Sequence, residues 1–144
     1  PEVSVVIPVW RARATIAECL GSLARQIDAP AFEVIVVMSG EDDGCADWLR
    51  AEAPWAHRIA SRQRLFAAEA RNLGAAAARG EILAFLDADC AVAPDWVASI
   101  RAAHRLGLSA LIGGAIENDS DGGLLSWAYH FASFATWNVA RAEA

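Results

Sequence analysis

The sequence predicts an α/β fold in which a mostly parallel sheet carries helices on both faces. Short apolar runs rich in valine and isoleucine recur at 3–7, 32–37 and 81–86. Longer stretches between them place apolar residues at helical spacing. Turn residues, Pro8 after the first run and Ser39-Gly40 after the second, close the strands. Strands that are apolar throughout belong to a sheet buried on both sides, which is the parallel arrangement. Crossovers are then expected to be right-handed, with ligands collecting at the carboxyl ends of the strands.

The first strand is Val3-Ser4-Val5-Val6-Ile7, ended by Pro8. Ile16, Leu20, Leu23 and Ile27 form the stripe of the first helix, and Thr15 with Glu18 reads as its capping box. The second strand covers 32–37, and the polar turn 39–44 leads to a short helix near 46–52 that Pro54 breaks. A weak strand is expected at 57–61 and a helix at 66–78, closed by Gly80 and weakened in its middle by Gly74. After the third confident strand, Pro94 opens a helix at its first position and Gly107 closes it. One more strand is expected at 110–116 and one more helix at 124–140.

A chain of 144 residues fits one domain, which would bury about 70% of its unfolded surface. Its net charge of −6 excludes functions that rest on phosphate-backbone affinity, so no nucleic acid is expected as partner. All 12 basic residues are arginine, and alanine is abundant, which reads as composition bias rather than chemistry. Cys19, Cys45 and Cys90 form no CxxC pair and are a poor disulfide framework, so a reducing compartment is expected. No secretory signal is visible at the start. Residues 122–140 lack Asp, Glu, Lys and Arg, but Gly122, Gly123, Ser126, His130, Ser133, Thr136 and Asn138 interrupt them, so no transmembrane span is expected.

At the strand ends, Asp87-Ala88-Asp89 is the most informative segment. Side chains two apart in an extended chain point the same way, so both carboxylates can face one site. Two hard oxygen donors with room for water and phosphate suit Mg²⁺ or Mn²⁺. Such a triplet arises by chance at about one half per chain of this length. Asp119-Ser120-Asp121 lacks the preceding strand and reads as a solvated turn. No glycine-rich phosphate loop follows the first strand, where the chain reads Pro8-Val9-Trp10-Arg11-Ala12-Arg13. This disfavours the common NAD and ATP sites of doubly wound sheets. Trp10 is equally open to stacking on a base or capping the core.

Three segments in order, 3–10, 70–74 and 80–90, resemble the family 2 glycosyltransferases of the GT-A (Rossmann-like) fold, and Pro94-Asp95-Trp96 adds to them. The resemblance runs from Glu2 to about Trp137. It implies inverting transfer of a sugar from a nucleotide diphosphate donor, UDP-, GDP- or dTDP-linked, to an acceptor hydroxyl, with Mn²⁺ or Mg²⁺ at the Asp-x-Asp. It places Pro8, Val9 and Trp10 beside the nucleoside, and Arg71 near the base and diphosphate. Asp87, with Ala88, would contact the ribose or share the metal, and Asp89 would be the principal metal ligand.

Two departures from the family pattern stand out. The turn after the second strand reads Met38-Ser39-Gly40-Glu41 where the family has acidic residues, and Asp43 alone matches the later acidic position. A methionine cannot accept a useful hydrogen bond from a base N–H, so the nucleotide is left open. The family's general base follows the region of Gly113-Gly114, where Glu117, Asp119, Asp121 and Glu143 are the acids present and none matches its context. The expectation is therefore one donor-binding domain, 1–144, incomplete at its C-terminal end, with no catalytic base assigned. The alternative is a truncated or degenerate module that binds without turnover. Residues 122–144 are expected to form an amphipathic aromatic helix. Its Leu124, Trp127, Ala128, Phe131, Phe134 and Ala135 would make one face, with Ser126, His130 and Ser133 opposite. That face, 124–137, would pack on a missing part or a second copy. The cytoplasm is the expected location, with the cytoplasmic membrane face as an alternative site.

Overall fold

The computed structural model describes residues 1–107, 111–114, 116–118 and 123–134. Its elements are β1 (Val3–Val9), α1 (Ile16–Ala24), β2 (Phe32–Ser39), α2 (Cys45–Glu52), β3 (His57–Ser61), α3 (Ala67–Ala77), β4 (Ile82–Phe85), α4 (Trp96–Arg105) and α5 (Gly123–Phe134). The described residues fall in two compact units, Pro1–Leu108 and Ser109–Ala144.

In the first unit the strands order as β3-β2-β1-β4, and every pair is parallel. The chain builds outward from β1 through β2 to β3, then returns to set β4 on the far side of β1. The direction of building reverses at β1, so a crevice is expected at the carboxyl ends of β1 and β4. Strand alternation explains why both sides are apolar. Val3, Val5, Ile7 and Val9 pack with Ile16, Leu20 and Leu23 of α1, Leu49 of α2 and Val97 of α4. Val6, Ile35 and Val37 face the other way, against Ala70 of α3.

Two glycines permit the close fit of α3 and its following loop. A Cβ at Gly74 would collide with Val6 Cγ1 and stand 3.1 Å from Val37 Cγ2. A Cβ at Gly80 would stand 2.7 Å from Ser4 N. Gly74 is thus a contact between helix and sheet, which a reading from helix propensity alone sees only as a weakness. Near the start of β2, Glu33 joins three segments. Its Oε1 accepts hydrogen bonds from Ser4 Oγ at 2.7 Å and Arg79 N at 2.8 Å, and its Oε2 accepts from Arg79 Nη2 at 2.6 Å. Burial opposes ionisation of Glu33, but the Arg79 and Ser4 hydrogen bonds outweigh it and bring its pKa down to about 2.

The structure corrects several local expectations. Thr15 caps α1 without a side-chain bond to the helix; its Oγ1 donates to Ala12 O at 3.3 Å, so no capping box forms with Glu18. The reciprocal half of such a box occurs at α3, where Glu69 Oε2 accepts from Phe66 N at 2.7 Å. Pro94 precedes α4 by two residues, and Asp95 occupies the cap. No strand occurs among the described residues of 110–116.

The second unit contains α5, whose first residue, Gly123, has φ +67°. Within it Asn118 Nδ2 donates to Ser126 Oγ at 3.1 Å. The separation into an aromatic and a polar face is not seen in the side chains described. Trp127 is 44% exposed while His130 is 7% exposed, and their rings meet edge-on at 5.9 Å. Residues three apart lie on the same side of a helix, which brings these two together. The side chains of Leu124, Phe131 and Phe134, residues 135–140 and Asp119-Ser120-Asp121 lie outside the described set. Among the described residues, no helix is long and apolar enough to cross a membrane.

Candidate active site

A cleft of about 530 Å³ opens at the carboxyl ends of β1 and β4. Pro8, Val9 and Trp10 line it from β1, Ser39 from β2, and Asp87, Ala88 and Asp89 from the loop after β4. Alternation in burial continues past the regular strand: Ala84, Leu86 and Ala88 are buried, while Phe85, Asp87 and Asp89 are exposed. Cys90 N then donates to Asp87 O at 3.1 Å, closing a tight turn. The two carboxylates reach one cleft because the strand's pleat runs on into that turn. Extended geometry alone is therefore only part of the reason.

Asp87 and Asp89 are not equivalent. Asp87 Oδ1 accepts from Arg71 Nη2 at 2.6 Å. Arg71, one of the expected site residues, does not line the cleft; it stands behind Asp87 and holds it. Its enclosed Nε finds no hydrogen-bond partner among the described residues. Asp89 takes part in no ion pair among the described residues, and its contact is Cys90 Sγ, which donates at 3.8 Å. The nearby thiols are quiet. Burial, then Cys90, Asp89 and Asp87, push the Cys19 thiol up to about 12, and burial likewise raises that of Cys90.

The turn after β2 borders a second cavity of about 80 Å³, lined by Met38, Ser39, Gly40 and Asp43 among others. Its acids are engaged within the chain. Glu41 meets Arg11 at 3.2 Å, and Asp42 accepts from Ala46 N at 3.1 Å. Asp43 accepts from Arg13 N at 2.9 Å and Cys45 N at 3.2 Å. Asp43 thus fastens the start of α2 to the loop after β1. Ser39 is shared by both cavities and Met38 by the smaller one alone.

The cleft also contains residues that sequence reasoning passed over. Arg64, Leu65, Phe66 and Ala67 form a wall ahead of and within α3. The Arg64 guanidinium lies 3.9 Å from the Trp10 ring centroid, and that of Arg11 lies 5.4 Å away. Arg11 follows β1 with φ +50°, an uncommon backbone region for a residue with a side chain. An arginine in the loop between β3 and α3 carries no periodic signal, and its pairing with Trp10 across 54 positions exists only in the folded chain.

Parallel strands, a switch point at β1 and paired carboxylates after β4 are the arrangement of the GT-A class of glycosyltransferase folds. The family model described as glycosyl transferase family 2 matches residues 4–143. Validoxylamine A glucosyltransferase of Streptomyces hygroscopicus subsp. limoneus is 37% identical over 116 residues, covering 72% of this chain and 24% of the relative. Glycosyltransferase AglE of Haloferax volcanii is 32% identical, covering 81% of this chain and 40% of the relative. Among solved structures, the mannosyltransferase PcManGT of Pyrobaculum calidifontis in complex with GDP-Man and Mn²⁺ is similar. It has a TM-score of 0.65 and 27% identity, over 82% of this chain and 36% of that one. S. aureus TarS in complex with UDP-GlcNAc gives a TM-score of 0.61 and 26% identity, over 71% of this chain and 30% of that one. The chain belongs to glycosyl transferase family 2. It spans about a quarter of the length of the Streptomyces relative and two-fifths of the archaeal one.

Proposed function

We propose that this chain forms the nucleotide-sugar-binding part of an inverting glycosyltransferase that passes a sugar from a nucleotide diphosphate to an acceptor hydroxyl. The observation that carries this reading is the pair Asp87 and Asp89 at the switch-point end of β4, on the same cleft as Trp10. The donor's base and ribose would lie toward β1 and β2, beside Pro8, Val9, Trp10 and Ser39, with its diphosphate toward Asp87-Ala88-Asp89. The relatives' bound UDP-GlcNAc and GDP-Man support a nucleotide sugar as ligand. Inversion is what membership of the family implies.

The donor set fits a divalent metal of the Mg²⁺ or Mn²⁺ kind. Among the described residues no cluster of three or more His, Cys, Asp or Glu forms a complete cage. One or two carboxylates completed by water and phosphate oxygens is the pattern such ions prefer. Asp89 would be the principal ligand, with Asp87 sharing it through the oxygen that Arg71 leaves free. The ion would offset charge developing on the departing diphosphate. Arg71 holds the Asp87 carboxylate in place, and Trp10 offers an aromatic face to the nucleoside.

Calorimetric titration of the folded chain with UDP, GDP and dTDP, with and without Mn²⁺, tests this. Binding that strengthens with Mn²⁺ and falls at least about tenfold in Asp89→Asn is expected, because a charged ligand is removed. Absence of binding to all three by the folded chain would refute the donor site. A second reading, binding without turnover, is favoured by the engagement of Asp43 and its neighbouring acids in capping α2. Release of free sugar or transfer to any acceptor by this chain excludes that reading.

A further inference from the structure

We infer that Ser22 and Gln26 are positioning residues for the metal: they fix the backbone of the loop that carries Asp89, as Arg71 fixes the side chain of Asp87. The inference rests on the donor-site reading above and assigns the part of the chain that aims its principal carboxylate.

Asp87 and Asp89 lie between β4, which ends at Phe85, and α4, which begins at Trp96. Neither residue belongs to a strand or a helix that would hold it. Leu86 N still donates to Val6 O at 3.1 Å, and Cys90 N closes the turn on Asp87 O at 3.1 Å. Arg71 fastens the Asp87 side chain. The Asp89 carboxylate has no ion pair among the described residues, so its direction is set by the backbone of the loop.

That backbone is fastened from α1 and the turn that follows it. Ser22 is 5% exposed, and a hydroxyl buried so deeply must have its hydrogen bonds made. Its Oγ donates to Cys19 O, three residues back, at 2.7 Å and accepts from Val92 N at 3.1 Å. The first bond turns the hydroxyl so that a lone pair meets the loop. Gln26, half-buried, uses both ends of its amide. Nε2 donates to Ala93 O at 2.7 Å and to Ser22 O at 3.2 Å, and Oε1 accepts from Val97 N at 2.8 Å. Val97 is in the first turn of α4, whose cap residue Asp95 makes no side-chain capping bond, so Gln26 satisfies that N–H from outside the helix. Ile27 N adds a bond to Pro94 O at 2.8 Å, and Cys19 Sγ donates to Asp87 O at 3.6 Å. Cys19, Ser22 and Gln26 fall at i, i+3 and i+7, a polar seam beside the apolar stripe of α1. Its bonds reach the chain from Asp87 to Val97, with Asp89 inside that span.

Mn²⁺ binding followed by electron paramagnetic resonance, with saturating UDP or GDP, reads how well the carboxylates are placed. Ser22→Ala and Gln26→Glu should each weaken it by about fivefold or more, just under the range for partners that touch a metal's ligands directly. Gln26→Glu keeps an acceptor for Val97 N and loses the donor to Ala93 O, so it separates holding the loop from capping α4. Ser22→Thr keeps the hydroxyl and should bind Mn²⁺ better than Ser22→Ala. UDP or GDP affinity without metal should change less than about twofold in these variants, because the cleft residues of β1 are distant from the substitutions and share no partner with them. Glu33→Gln, which removes hydrogen bonds near the start of β2, is the control for lost stability and should keep the wild-type Mn²⁺ affinity. Equal loss with and without metal, or equal loss in Glu33→Gln, would reduce Ser22 and Gln26 to a structural role and overturn the inference. So would a smaller loss of Mn²⁺ affinity in either variant, or a Ser22→Thr no better than Ser22→Ala. Should Ser22→Ala fail to fold, Gln26→Glu decides. A wild-type chain whose Mn²⁺ affinity is indifferent to both nucleotide and Asp89→Asn overturns the donor site itself, an outcome distinct from these.

Discussion

Glu33 owes its low pKa of about 2 to the Arg79 and Ser4 hydrogen bonds that overcome its burial. Its folded-state pKa lies below its ordinary value of 4.5, so the stabilisation is fully present above that value. It is lost as pH falls from there toward about 2. Glu33→Gln should lower unfolding free energy at pH 7 by about 1.5–3 kcal/mol, the range for hydrogen bonds to a charged group. Chemical denaturation at several pH values checks both points, and the variant should show a shallower fall in acid. The thiols give a second residue-level expectation. With Cys19 raised to about 12 and Cys45 to about 11 by burial, native protein at pH 8 should react with a thiol reagent far more slowly than unfolded protein. Rapid native labelling of Cys19 or Cys45 would contradict the buried placement. Asp87, Asp89 and Trp10 were legible from sequence because strand ends are where ligands gather. Arg64 and the Arg71–Asp87 pair were not, since both depend on contacts between distant segments.

The elements were easiest to read where burial is continuous. β1, β2 and β4 announce themselves through valine and isoleucine, and even the weak β3 lies at 57–61 as expected. Caps were less legible, because Thr15 turns its hydroxyl back to Ala12 instead of into α1. The glycines of α3 and its loop are the part that propensity misjudges. Gly74→Ala would gain helix propensity, yet the methyl group has no room against Val6 and Val37. It should destabilise the chain by about 1–3 kcal/mol, as overpacking does. Gly80→Ala should cost at least as much, because its contacts are backbone atoms of Val3 and Ser4 that cannot rotate aside. Thermal unfolding of the two variants checks the order, and a more stable Gly74→Ala would disprove the close packing of α3 on the sheet.

For the molecule, the sheet order explains why so little of the chain forms the site. Reversal at β1 brings the ends of β1, β2 and β4 to one crevice, and each supplies its part of the cleft. β4 is at the edge of the described sheet, and Leu83 and Phe85 on it are exposed, at 42% and 47%. The fold class followed from the alternation of apolar strands and helices. The second unit did not, because helical spacing put His130 on the polar side of α5, whereas it is 7% exposed and Trp127, on the expected apolar face, is 44% exposed. With Asp87 tied to Arg71, the chain offers a metal few free oxygens, so metal and diphosphate should bind as one unit. Electron paramagnetic resonance of Mn²⁺ titrated into the protein, alone and with saturating UDP or GDP, measures this coupling. Tightening of Mn²⁺ binding by about tenfold or more with nucleotide, abolished in Asp89→Asn, is the predicted result. Mn²⁺ affinity indifferent to nucleotide, or unchanged in Asp89→Asn, would contradict a donor site built on Asp87 and Asp89.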